Sequence, residues 1–125
     1  IGLINREHAY KGSFGDKNIE EFVAETASEI ARLKDMFEST VPFAVLIAPA
    51  RFEIRDDDRF YRKLREHMVG ALSARNIPAI DLADTFKNSG FKSTHFAHDG
   101  HWSPLGHEIA GKAAIAWLRQ QAVVR

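Results

Sequence analysis

The sequence predicts an α/β protein, a parallel sheet flanked by helices. Three observations lead there. Apolar runs at 1–4, 43–48 and 77–82 alternate with stretches of helical period, and alternation of this kind favours parallel strands joined by helical crossovers. The run 43–48, Phe-Ala-Val-Leu-Ile-Ala, has no polar alternation, the pattern of a strand covered on both faces. The 125 residues are 45% hydrophobic and 27% charged, enough apolar material for one domain with its own core.

Each element has its own reason. Ile1-Gly2-Leu3-Ile4 reads as the end of a buried strand, and Gly12, Ser13, Gly15 and Asp16 as a loop. Over 18–39 the residues Ile19, Phe22, Val23, Ala27, Ile30, Leu33, Met36 and Phe37 recur every three or four positions, one face of a helix. Asp16 or Asn18 caps it, and Glu20, Glu21 and Glu25 complement the positive end of its dipole. The strand at 43–48 is bounded by Pro42 and Pro49. Asp56-Asp57-Asp58 opens a second helix over 58–75, with Phe60, Tyr61, Leu64, Met68, Ala71 and Leu72 facing the core. The run 77–82 is a further strand, and 83–88 a helical turn. A loop rich in His and Gly occupies 89–102. Ser103 at the N-cap and Pro104 in the first helical position start the last helix, with Leu105, Ile109, Ala113, Trp117 and Leu118 toward the core.

Composition excludes several classes of function. Lys plus Arg and Asp plus Glu number 17 each, and no local basic patch stands out, so nucleic acid is not an expected partner. The longest apolar stretch, at 41–50, is half of the roughly 20 residues that a membrane-spanning helix needs. With no cysteine, disulfides, thiolate metal sites and a Cys nucleophile are out. These 125 residues show no signal-peptide pattern, and a chain opening on Ile1 reads as a trimmed product whose true N-terminus, first strands and any targeting signal are expected upstream. The sheet edge at 1–4 is then expected to be covered by a retained upstream fragment or by a second copy in a homodimer.

The chemistry concentrates in His98-Asp99-Gly100-His101-Trp102-Ser103-Pro104-Leu105-Gly106-His107. The block follows a strand and precedes a helix, and ligands of open α/β sheets bind outside the carboxyl ends of the strands. Three readings stand side by side. In the first, Asp99 accepts a hydrogen bond from the His101 ring and orients it, while the other ring nitrogen deprotonates a hydroxyl. In the second, His95, His98, Asp99 and His101 hold a metal ion, although their spacing matches no zinc motif. In the third, these are polar loop residues and a helix cap.

The block Asp99 to His107 resembles the last conserved block of the SGNH hydrolases, the GDSL-type esterases, in which an Asp-x-His motif carries the acid and base of a catalytic triad. The Trp after the His is similar to the longer bacterial members and to alginate-type polysaccharide O-acetyltransferases. Gly2-Leu3-Ile4-Asn5 stands where that family has a Gly-x-Asn-Asp block. The resemblance implies a flavodoxin-like three-layer α/β/α fold, of which this chain is the C-terminal portion. It implies Asp99 as orienting acid, His101 as general base and Asn5 as oxyanion donor, acting on a small-molecule or carbohydrate ester without metal or cofactor. The Gly-Asp-Ser nucleophile block is absent. The serine is therefore expected upstream, and the chain alone is expected to be inactive. A catalytically inactive carbohydrate-binding or assembly module is the alternative.

Other residues carry weaker expectations. Trp102 either walls the substrate site or anchors the core. Arg51, past the apolar strand and Pro49, either contacts substrate or is a solvated surface cation. His98 either lines the pocket or is an exposed loop histidine, and His95 has the same standing.

Overall fold

A computed structural model describes residues 18–123. Helix α1 (Ile19–Asp35) leads to strand β1 (Val45–Ile47), α2 (Arg51–Asp56) and α3 (Arg59–Ala74). Strand β2 (Ala79–Asp81), α4 (Ala83–Ser89), α5 (Phe91–Thr94) and α6 (Pro104–Val123) follow. The strands pair in parallel, with Val45 opposite Ala79 and Ile47 opposite Asp81.

The expected three-layer sheet fold is not what forms. The described chain is 66% helix and holds two short strands. Prolines bound the ladder at both ends. Pro78 has no N–H to give; its carbonyl accepts from Val45 N at 2.9 Å. At the other end Leu82 N reaches Ile47 O at 3.2 Å, after which the chain turns into α4 on one strand and meets Pro49 on the other. The apolar run is thus not a strand buried on both faces, and Leu46 stays 37% exposed. Within the stretch expected to be loop, 91–94 is helical instead, and 51–56, for which no element was expected, forms a short helix. The strand expected at 1–4, and the cover expected for its edge, lie outside the described residues.

The caps follow local rules. Asn18 Oδ1 accepts from Glu21 N at 2.8 Å to start α1, and Asp58 Oδ1 accepts from Phe60 N at 3.0 Å and Tyr61 N at 3.3 Å to start α3. Ala27, Leu72 and Ile77 form the innermost core, where α1 and α3 cover the sheet with Ile30, Met68, Val45 and Ile47 around them. A second buried group, Leu82, Ala83, Phe86, Thr94 and His95, lies at α4 and α5. The predicted helix faces are only partly buried. Met36 is 81% exposed because α1 ends at Asp35, short of the expected 39. Leu105 and Leu118 on α6 are exposed as well. Among the described residues no helix is long and apolar enough to cross a membrane.

Candidate active site

The loop between α5 and α6 closes on itself before it presents any chemistry. His95 and Trp102 form an antiparallel bridge. Inside it Phe96 N donates to His101 O at 2.8 Å and Gly100 N to Phe96 O at 3.1 Å; outside it Ser103 N donates to Thr94 O at 2.9 Å. The loop 96–101 therefore hangs from paired backbone, with the turn 97–99 at its tip. Gly100, at φ +73°, supplies the left-handed residue that brings the chain back.

Asp99 and His101 meet across that glycine. One carboxylate oxygen, Oδ1, accepts the backbone N–H of His101 at 2.9 Å. The other, Oδ2, stands 3.0 Å from His101 Nδ1. Both oxygens thus engage one residue, an Asx-type turn that also aligns the ring. The His101 backbone N–H first, and its ring second, hold the Asp99 carboxyl below the usual carboxylate range. An ionised Asp99 keeps the proton of neutral His101 on Nδ1, leaving Nε2 as the acceptor. The His101 side chain is 81% exposed and that of Asp99 57%.

The base of the loop is fixed by buried polar and aromatic groups. Thr94 Oγ1 donates to Gly90 O at 2.9 Å, so it accepts from His95 Nδ1, also at 2.9 Å. The His95 ring stacks on Phe91 at 4.7 Å between centroids. Burial first, and the charge of Arg51 second, push its pKa below the ordinary 6.5. Trp102 packs on Phe86 at 5.1 Å and on His107 at 5.5 Å, which makes it an anchor of the loop. Gly106 lets α6 come close: a Cβ there would stand 2.6 Å from Thr94 O. Ser103 caps α6 through Gly106 N at 3.3 Å, and its hydroxyl donates to Ser93 O at 2.5 Å.

The structure sorts the residues singled out by sequence. Asp99 and His101 come together. Arg51 joins them as the first residue of α2, with Nη1 2.6 Å from Asp99 O. His98 is exposed at the loop tip, and His95 is buried away from it. Asn5 lies outside the described residues. Among those residues no three His, Asp or Glu side chains gather into a set that could hold a metal ion.

Sequence reasoning missed Glu53, whose side chain is fully buried. Its carboxylate takes Arg65 Nη2 at 2.8 Å and Lys87 Nζ at 3.2 Å, and Arg65 Nη1 continues to Asp81 Oδ2 at 2.5 Å. The bonds to Glu53 favour the charged form of Arg65 against the cost of its burial. The network ties α2 to α3, α4 and the carboxyl end of β2. Nothing local in Arg-Phe-Glu-Ile-Arg-Asp distinguishes a buried Glu from a solvated one.

No family model, curated protein or solved structure matches the chain. The chemistry of the site rests on its geometry.

Proposed function

We propose that Asp99 and His101 are the acid–base half of a serine-type acyl-transfer site that hydrolyses or transfers esters of small molecules or carbohydrates. The observation that carries this reading is the 3.0 Å contact between His101 Nδ1 and Asp99 Oδ2, with Nε2 left on an exposed ring. A carboxylate that fixes Nδ1–H and stabilises the imidazolium makes the far nitrogen a general base. The likeness of the block 99–107 to that of the SGNH hydrolases supports the same roles.

In this reading a serine hydroxyl gives its proton to His101 Nε2 as its oxygen attacks the ester carbonyl. The tetrahedral intermediate collapses as the imidazolium protonates the departing alcohol. Water, or an acceptor hydroxyl, then repeats the sequence and frees the serine. Asn5 is the proposed oxyanion donor, the kind of group whose loss costs about 10²–10³-fold in kcat.

Among the described residues no serine hydroxyl bonds to His101, whose hydrogen-bonded side-chain partner is Asp99. The reading therefore places the nucleophile outside 18–123. The same observation favours the second reading, a carbohydrate-binding or assembly module in which the loop is a shape without turnover.

Fluorophosphonate labelling of the protein as the cell makes it, followed by peptide mapping, separates the two. The enzyme reading expects one serine adduct, lost in His101→Ala. Folded protein with no adduct, beside a labelled control hydrolase, refutes it.

A further inference from the structure

We infer that Arg51 is a positioning residue: from the start of α2 it clamps the Asp99–Gly100 turn in the conformation that joins Asp99 to His101. That this pair performs acid–base chemistry is the reading proposed above; the clamp stands on contacts of its own.

Two contacts act together. Arg51 Nη1 donates to Asp99 O at 2.6 Å, across 48 residues of sequence. A charged donor on a carbonyl makes a short, strong bond. The Arg51 side chain also fills the space beside Gly100. A Cβ on that glycine would overlap Arg51 Cδ and stand 2.7 Å from Nη1. Gly100 is thus favoured by its φ of +73°, and any Cβ there would have to displace the arginine lying against it. Among the described residues this bond is the one hydrogen bond from the loop tip, 97–100, to another element.

The clamp has a firm origin. The guanidinium lies over the Phe52 ring, with Cζ 4.7 Å from the centroid. Two residues on, Glu53 is locked into the buried network with Arg65 and Lys87. Arg51 is therefore held by a helix that cannot drift relative to β2 and α4. It transmits the position of that helix to the backbone between acid and base. The contact that Arg51 makes with the loop is to the carbonyl of Asp99.

The test uses the 125-residue chain and needs no turnover. NMR follows the Asp99 side-chain carboxyl through a pH titration and the His101 Nδ1 proton. The wild type is expected to titrate below the ordinary 3.8 at Asp99 and to show a ring proton protected from exchange. In Arg51→Ala the Asp99 midpoint moves up toward that ordinary value and the ring proton is lost to exchange. Arg51→Lys, which keeps one donor, restores both in part. Gly100→Ala, strained at a φ of +73° and displacing the Arg51 side chain, reproduces the loss in a protein whose Arg51 is intact. In the active protein, Arg51→Ala lowers kcat by about 100-fold with little change in KM, as misplacement by an ångström does.

An Arg51→Ala protein that is folded, with both signals unchanged, overturns the clamp and leaves the proposed pair standing. A wild type with an ordinary Asp99 and no protected ring proton overturns the pairing, and the clamp with it. Backbone amide spectra of all variants show whether the fold persists; Arg51 is exposed, so it should.

Discussion

A histidine is useful as a base only when one nitrogen is held and the other is free. Asp99 meets the first condition with both oxygens, at 2.9 Å to the His101 backbone and 3.0 Å to its ring. Asp99→Asn should therefore damage the site without disturbing the fold. The amide keeps the shape but favours the wrong tautomer, and under the acyl-transfer reading proposed above kcat is predicted to fall by as much as about 10⁴-fold. Ester turnover and a thermal melt on the same protein check it; retained turnover would remove Asp99 from the mechanism. His95 makes a different prediction. Its neutral form is favoured in the fold, where burial and Arg51 lower its pKa below 6.5. Below about pH 6.5 the unfolded chain binds a proton that the folded chain resists, so this contribution to stability is complete above 6.5 and declines as pH falls. Urea midpoints measured across that window should drop on acidification. The slope should flatten in His95→Gln; an equal slope in both proteins would contradict the assignment.

Elements are held in place by contacts of unequal worth. The exposed Arg32–Glu29 pair on α1, at 3.0 Å, belongs to a class that contributes about 0–1 kcal/mol. Glu53 is different, since its side chain is fully buried and removing it takes the shared partner from Arg65 and Lys87, leaving Arg65 to Asp81 and opening a gap between α2, α3 and α4. Glu53→Ala is predicted to cost about 3–5 kcal/mol, and Glu29→Ala well under 1 kcal/mol. Denaturant titration of the two variants decides this, and equal midpoints would mean that the network is not stabilising α2. Gly106→Ala probes the junction of α6 with the loop. Its methyl would push on Thr94 O and Trp102 Cβ, at 2.6 and 3.0 Å, an overpacking of a kind that costs about 1–3 kcal/mol. Intrinsic fluorescence of Trp102 should report the shift. These elements also show what was legible. Asn18, Asp58 and Ser103 were readable as caps because a cap is a contact within three residues. The short helices α2 and α5 were not, because each is too short to show a period and is fixed by what it packs against.

The same division between local and distant contacts runs through the whole molecule. Asp99 and His101 are two residues apart, so spacing alone suggested their meeting; Arg51 and Asp99 are 48 apart, and no local pattern connects them. The number of strands beside a strand is likewise non-local. An apolar run between two prolines looks the same whether it has one neighbour or two, and β1 has one among the described residues. The result is a protein whose inner core, at Ala27, Leu72 and Ile77, is small. Helix α6 packs on α5, α4 and β2, while Ile115 and Leu118 toward its far end stay exposed. Stability should therefore be graded along the chain. We predict that amides of α3 near Leu72 exchange only through global unfolding, and that the last turns of α6 exchange through local fraying at much lower cost. Between them should lie the loop 96–101, anchored at His95 and Trp102 but tied at its tip by Arg51 alone among the described residues. Native-state hydrogen exchange under increasing denaturant gives the order directly. If the end of α6 proved as protected as α3, a contact absent from residues 18–123 would have to cover Ile115 and Leu118. The apolar face of α6 would then be an interface rather than a frayed end.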